Sequence, residues 1–198
     1  MVYSVFSIFL SIISPTLNRP MDNQTGTTRK HIWDYAVLFS IAGIVILLDQ
    51  LTKAIVRLSL AYGEILKPEL WLSQFARIVH LRNSGAINGI FQGMTAFLIA
   101  FPFIVCAVII YYFPRISHRD WLIRLAAGLY MGGALGNLID RLHQGFVTDF
   151  ISIGSFPVFN IADASVSLGV VTLMIGLWLH ESTKKESLAD KDEPVLPT

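Results

Sequence analysis

The sequence predicts an all-α integral membrane protein, a bundle of four transmembrane helices, and three observations carry that prediction. The 198 residues are 54% hydrophobic and only 15% charged, where soluble domains carry about a quarter charged residues. The mean hydropathy is +0.59. Uncharged apolar runs recur along the chain, several of them close to the ~20 residues that cross a bilayer. Net charge is +1 from 15 basic and 14 acidic residues, so no global field favours nucleic acid or a polyanion. The single cysteine, Cys106, lies in an uncharged run; it excludes an intramolecular disulfide and reads as a small packing residue.

Met1 to Ile13 is apolar, but too short to span and without the basic flank of a signal peptide. Residues 14–31 turn polar. Met21 could serve as an initiator, which makes residues 1–20 dispensable; the rival reading is an interfacial anchor. Residues 1–31 are therefore treated as an N-terminal extension, 32–180 as the four-helix membrane domain, and the charged stretch 181–198 as an unstructured tail.

The first span runs from Tyr35 to about Ala54 and is uncharged up to Asp49. Asp49 and Lys53 stand at i,i+4 with the acid first, the favoured order for a helical ion pair. Such a pair can satisfy itself; alternatively Lys53 faces a further anionic partner. Residues 55–94 are mixed, with a period-two pattern ending at Arg82 that suggests a short strand. Asn83-Ser84-Gly85-Ala86 reads as a turn in which glycine supplies the backbone shape. Thr95 to Phe113 is a second span, expected to kink at Pro102. Trp121 to Ile139 is the third, with Arg124 near enough its end to snorkel. In it Gly128, Gly132 and Gly136 recur on one face, the pattern of close helix packing; Gly133 and Gly136 are also placed to leave room for a substrate. The fourth span runs from Asn160 to Leu179. Four spans put both termini on one side. With the N-terminal stretch, loop 114–120 and the tail on that side, eight basic residues lie there against six on the other, which points the termini to the cytoplasm.

Residues 132–169 concentrate polar chemistry where the third and fourth spans meet the outer boundary: Asn137, Asp140, Arg141, Asp149, Asn160 and Asp163. Polar groups at membrane depth are costly to keep and usually functional. Asn137 and Arg141 are i,i+4, and Asp140 can hold either Arg141 or the loop; these read as scaffolding. Asp163 follows Asn160 by three residues, a capping arrangement at a helix start. Asp149 has no basic neighbour nearer in sequence than His143. Taken singly, Asp163 is a helix-capping acid and Asp149 a solvated loop acid. Taken together at one membrane face among Phe146, Val147, Phe150 and Phe159, they form a pair in which both carboxyls cannot easily ionise. One then holds a proton while the other acts as base toward water. The helix dipole favours charge on Asp163, leaving Asp149 as the protonated partner.

The motifs match a known family. Asp49-Gln50-Leu51-Thr52-Lys53, Arg82-Asn83-Ser84-Gly85-Ala86, GGALGNLIDR ending at Arg141, Gly145 through Ile151 around Asp149, and Phe159-Asn160-Ile161-Ala162-Asp163 occur in order, and the chain resembles the lipoprotein signal peptidases, or signal peptidase II. The resemblance covers residues 49 to about 170. It implies a small β-rich extracytoplasmic cradle between the first two helices and Asp149 and Asp163 as a catalytic pair. Asn83, Gly85, Asn137, Asp140, Arg141 and Asn160 would position substrate or the pair, and Asp49 and Lys53 would support the site. It further implies cleavage just before a diacylglyceryl-modified Cys of a prolipoprotein, no metal or other cofactor, contact with membrane phospholipid, inhibition by the cyclic peptide globomycin, and a monomer in the bacterial inner membrane. Ile87 and Asn88 stand where the family usually has Ala and Phe.

Other classes fit less well. A proton-coupled transporter commonly shows repeated halves, and residues 35–113 do not repeat in 121–179. A metallopeptidase would draw on His80 and His143, yet the sequence has no His-Glu-x-x-His run. A serine peptidase would need Ser84 or Ser165 beside one of those histidines. A purely structural membrane protein leaves the polar cluster without a purpose.

Overall fold

The computed structural model describes residues 24–66, 75–85 and 95–189. Helix α1 spans Gln24–Ser59, strand β1 Ile65–Leu66 and strand β2 Ala76–Asn83. Helix α2 (Thr95–Tyr112) and a 3-10 turn (Phe113–Arg115) lead into α3 (Trp121–Gln144), β3 (Val147–Ile153) and α4 (Ile161–Ala189). Among the described residues, four segments are long and apolar enough to cross a membrane: Ile32–Ser59, Ala96–Arg115, Trp121–Gln144 and Ile161–Thr183.

The helices run past the sequence-based boundaries at several ends. α1 starts at Gln24, within the stretch read as a polar extension, and α4 continues to Ala189, into the stretch read as an unstructured tail. Hydropathy marks where lipid begins and ends, whereas hydrogen-bonded helix can continue into water. The expectations for residues 1–20 and for Ile87 and Asn88 fall outside the described residues. Pro102 sits within α2, which is assigned as helix on both sides of it.

α1 shows how the bundle is organised. Its buried positions are Asp34, Leu38, Ala42, Val45, Asp49, Lys53 and Val56, a stripe at spacings of three and four. Its exposed positions include Val37, Ile44, Leu47, Leu51, Ile55 and Leu58. Polar side chains thus turn inward and apolar ones outward, the arrangement that a lipid solvent demands. α3 lies at the centre, against α1 on one side and α4 on the other. A Cβ on Gly132 would come within 2.7 Å of Val45, and one on Gly133 would collide with the Ala162 carbonyl oxygen. A Cβ on Gly136 would lie 2.7 Å from Asp49 Oδ2. The glycines therefore pack helices as expected, but the space beside Gly133 and Gly136 is filled by α4 and Asp49 and is not left for a substrate.

The sheet departs from a cradle confined to the first loop. Its order is β1-β2-β3, all antiparallel, so the strand after α3 joins the two strands after α1. Ile78 pairs with Ile151 and Leu81 with Asp149. Two residues of β2, Val79 and His80, therefore face the single Phe150, a β-bulge. The bulge explains why Val79 and His80 are both buried where strict alternation would bury one of them. His80 Nδ1 lies 2.9 Å from the Leu60 carbonyl oxygen at the end of α1. Phe150 packs with Val56 and Leu60, which seats the sheet on α1.

At the bundle's other end Arg124 is buried. It donates to Asp34 Oδ1 at 2.6 Å and to the Ile116 carbonyl at 3.1 Å, and it lies over the Phe113 ring. It does not snorkel, because α1 supplies an acid that the local sequence around Arg124 does not reveal. Asp120 and His180 form a second contact there at 2.9 Å.

Candidate active site

α1 delivers Asp49 and Lys53 to the interior, both with 0% of the side chain exposed. Lys53 Nζ lies 2.8 Å from Asp49 Oδ2 and 3.0 Å from Asp140 Oδ2, and donates to Asn137 Oδ1 at 2.9 Å. Lys53 thus pairs with Asp49 and also meets an acid of α3, so the pair does not satisfy itself alone. Asp49 spends its other oxygen on the Ala162 N–H at 3.0 Å, a free donor in the first turn of α4. Asp140 Oδ2 accepts from the Thr148 N–H at 3.1 Å, so it fastens the start of β3. No hydrogen bond joins it to Arg141 among the described residues.

Asn160 opens α4 with the expected reciprocal cap. Its Oδ1 accepts from the Asp163 N–H at 3.0 Å, and Asp163 Oδ2 accepts from the Asn160 N–H at 3.2 Å. Its amide nitrogen, fully buried, donates to Asp149 Oδ1 at 2.7 Å and to Asn137 Oδ1 at 3.1 Å. Asn137 in turn donates from Nδ2 to Asp163 Oδ1 at 2.7 Å. The fold thus ties Asp149 and Asp163, 14 residues apart in sequence (163 − 149), to one residue that bonds to both.

Asp149 is held from the opposite side by Asn83, whose Nδ2 donates to Oδ2 at 2.8 Å. The turn after β2 fixes that amide: Asn83 Oδ1 accepts from the Gly85 N–H at 3.0 Å, and Gly85 takes φ 124°, which glycine adopts without strain. Only 3% of Asp149 is exposed. Burial, and then the charge of Asp163, push its carboxyl up to about 6, against the opposing pull of the Asn83 and Asn160 hydrogen bonds and of the Lys53 charge. Arg141 stands among the charges of Asp163, Asp149 and Asp140. Its Nε is buried without a partner among the described residues.

All ten residues singled out in the sequence thus fall in one neighbourhood, with Gly85 acting through Asn83. Three others belong to it that the sequence reading gave no role. Gln50 Nε2 reaches Asp49, the Gly136 carbonyl and Asp140 Oδ1 at 3.1, 3.0 and 3.2 Å. Arg57 Nη1 donates to Thr148 Oγ1 at 3.1 Å and lies 3.8 Å from Asp140 Oδ1. Thr148 is fully buried. Arg57 was detectable, since it extends the Asp49, Lys53 spacing by one more turn; Thr148 carried no comparable signal. Among the described residues no group of three or more His, Cys, Asp or Glu side chains could hold a metal ion.

The chain is similar to known proteins. The family described as Signal peptidase (SPase) II matches residues 41–179. A lipoprotein signal peptidase of Shouchella clausii is 38% identical over 150 residues, 75% of this chain and 97% of that protein. One from Staphylococcus aureus strain JH9 is 35% identical over 74% of this chain and 90% of its own length. A bacterial membrane enzyme solved by the in meso method at 2.3 Å superposes with a TM-score of 0.66 at 31% identity, covering 82% of this chain and 95% of that one. A second, solved at 1.9 Å, gives 0.65 at 34% identity over 72% and 92%. With its four spanning helices and this match over most of its length, the chain belongs to the signal peptidase II family.

Proposed function

We propose that this protein removes the signal peptide of prolipoproteins by aspartyl chemistry, with Asp149 and Asp163 as the catalytic pair. The observation that carries the reading is their shared hold on Asn160 in a membrane-embedded bundle. The two acids sit in different surroundings, as acid–base work requires. Asp163 lies at the N-terminus of α4 and accepts from two N–H donors, Asn137 Nδ2 and the Asn160 main chain. Asp149 is buried and holds its proton to higher pH.

Asp163 removes a proton from a water molecule as the oxygen attacks the scissile carbonyl. Asp149 gives its proton to the developing oxyanion, forming a tetrahedral diol. Collapse of the diol expels the new N-terminal amine, which takes the proton from Asp163 while a diol hydroxyl returns one to Asp149, so the pair is left with one proton as at the start. Arg141, standing among the charges of Asp163, Asp149 and Asp140, positions the substrate or the pair. The chemistry asks nothing of a metal, and cleavage is expected to persist in strong chelator.

The cut falls just before a diacylglyceryl-modified Cys whose acyl chains lie along the apolar helix faces, amid membrane phospholipid. The termini lie in the cytoplasm and the pair near the outer face of the bacterial inner membrane. The enzyme acts as a monomer and is blocked by globomycin. The deciding experiment compares cleavage of a lipidated prolipoprotein by the wild type and by Asp149→Asn. Loss of cleavage in a folded variant supports the reading, and turnover near wild type overturns it. A reporter fused after Thr198 that is active only outside the cytoplasm would reverse the orientation.

A further inference from the structure

Asp149 depends on the residue before it. Thr148 has three polar atoms, and each is held by a different element. Its N–H donates to Asp140 Oδ2 of α3 at 3.1 Å, its carbonyl accepts from Asn160 Nδ2 at the start of α4 at 3.4 Å, and its hydroxyl oxygen accepts from Arg57 Nη1 of α1 at 3.1 Å. The first two contacts use the main chain and would survive most substitutions at 148. The third depends on a hydroxyl at 148 and a guanidinium at 57.

We propose that Arg57 is a positioning residue for Asp149 and acts through the Thr148 hydroxyl. Three features support this. Arg57 lies one turn beyond Lys53 and two beyond Asp49 on α1, so it stands on the helix face that braces the site. Its side chain remains 27% exposed yet reaches inward to a fully buried oxygen. Such reach costs a long side chain rotamer freedom and persists only where the far end gains a hydrogen bond. Finally, Thr148 and Asp149 are neighbours on a strand, so their side chains leave opposite faces. Anchoring Thr148 on the α1 side sets the rotation of the strand about its axis and with it the direction in which the Asp149 carboxyl leaves the other face. A carboxyl displaced by about 1 Å loses much of its rate even when substrate still binds.

The inference rests on Asp149 being one of the reacting acids. It is tested on the full chain with a lipidated prolipoprotein. Thr148→Val keeps shape and volume and removes the acceptor; Arg57→Gln removes the fork. Each is expected to lower kcat about tenfold with KM changed less than about twofold, while the double variant falls no further than either single one, as a shared link requires. Thr148→Ser, which keeps the oxygen, recovers most of kcat. Wild-type kcat in Thr148→Val overturns the proposal, as does a multiplicative loss in the double variant or a loss in Thr148→Ser equal to that in Thr148→Val. If Thr148→Val proves poorly folded, kcat per globomycin-titrated site in Arg57→Gln decides between the same outcomes. Failure of the dyad reading itself is recognised separately, because Asp149→Asn would then remain active.

Discussion

Lys53 Nζ donates to Asn137 Oδ1 at 2.9 Å, and that contact decides which way the Asn137 amide faces. An ammonium can only donate, so the amide oxygen must turn to Lys53 and the NH2 group must point to Asp163. Asp163 therefore receives the Asn137 amide as well as the Asn160 N–H. Asp149→Asn and Asp163→Asn are each expected to fold and bind prolipoprotein but to cleave slower by roughly 10²–10⁴-fold, the usual worth of a general acid or base. Appreciable turnover by either, in a sample shown to be folded, would remove the pair from the mechanism.

The raised carboxyl of Asp149 has two consequences with pH. Its proton is held to about 6 in the folded protein, against 3.8 for an ordinary aspartate. Between those values the folded state binds a proton that the unfolded chain has released, so the group's contribution to stability falls as pH rises through this window and is lost above 6. Thermal unfolding of Asp149→Asn is thus expected to gain on wild type between pH 4 and 6 by on the order of 1–3 kcal/mol and then level off. In activity, kcat/KM should decline on the alkaline side with a midpoint near 6, since that profile reports the free enzyme. A profile flat from pH 5 to 8 would contradict the assignment of the proton to Asp149.

Removing Lys53 leaves Asp49 and Asp140 buried without their shared cation. Lys53→Met should cost about 3–5 kcal/mol, the penalty for breaking a buried ion pair, seen as a lower unfolding midpoint in micelles. A shift under about 1 kcal/mol would mean that water or another base reaches the acids.

The glycine contacts give a packing test. Gly133→Ala would drive a methyl group into the Ala162 carbonyl oxygen, so α4 must retreat and carry Asp163 with it; both stability and kcat should fall. Gly43→Ala meets nothing within 4 Å and should leave stability within about 1 kcal/mol of wild type. Equal behaviour of the two would show that α3 and α4 are not in close contact.

Much of this was legible in the sequence because lipid simplifies the code. Apolar runs announce spans, and an acid among them must have a purpose, so Asp49, Asp149 and Asp163 stood out. Arg124 was misread since its partner, Asp34, is 90 residues away, and nothing local says that the two helices meet there. The third strand was missed for a similar reason: Val147–Ile153 belongs to a sheet whose other members lie before α2. Arg57 and Thr148 take their meaning from each other, and no window of sequence contains both.

The extra residue in β2 acts as a phase change. Ahead of Val79 the strand counts its faces in one parity and beyond His80 in the other, and because the bulge absorbs one residue Asn83 pairs with Val147 on the face of Asp149. Pairing the same strand straight through from Ile78–Ile151 would leave composition and hydropathy unchanged, yet it would set Arg82 in place of Asn83 opposite Val147 and turn a cation toward the face of Asp149. Length, to the single residue, is thus under the same constraint in this strand as chemistry is at the site.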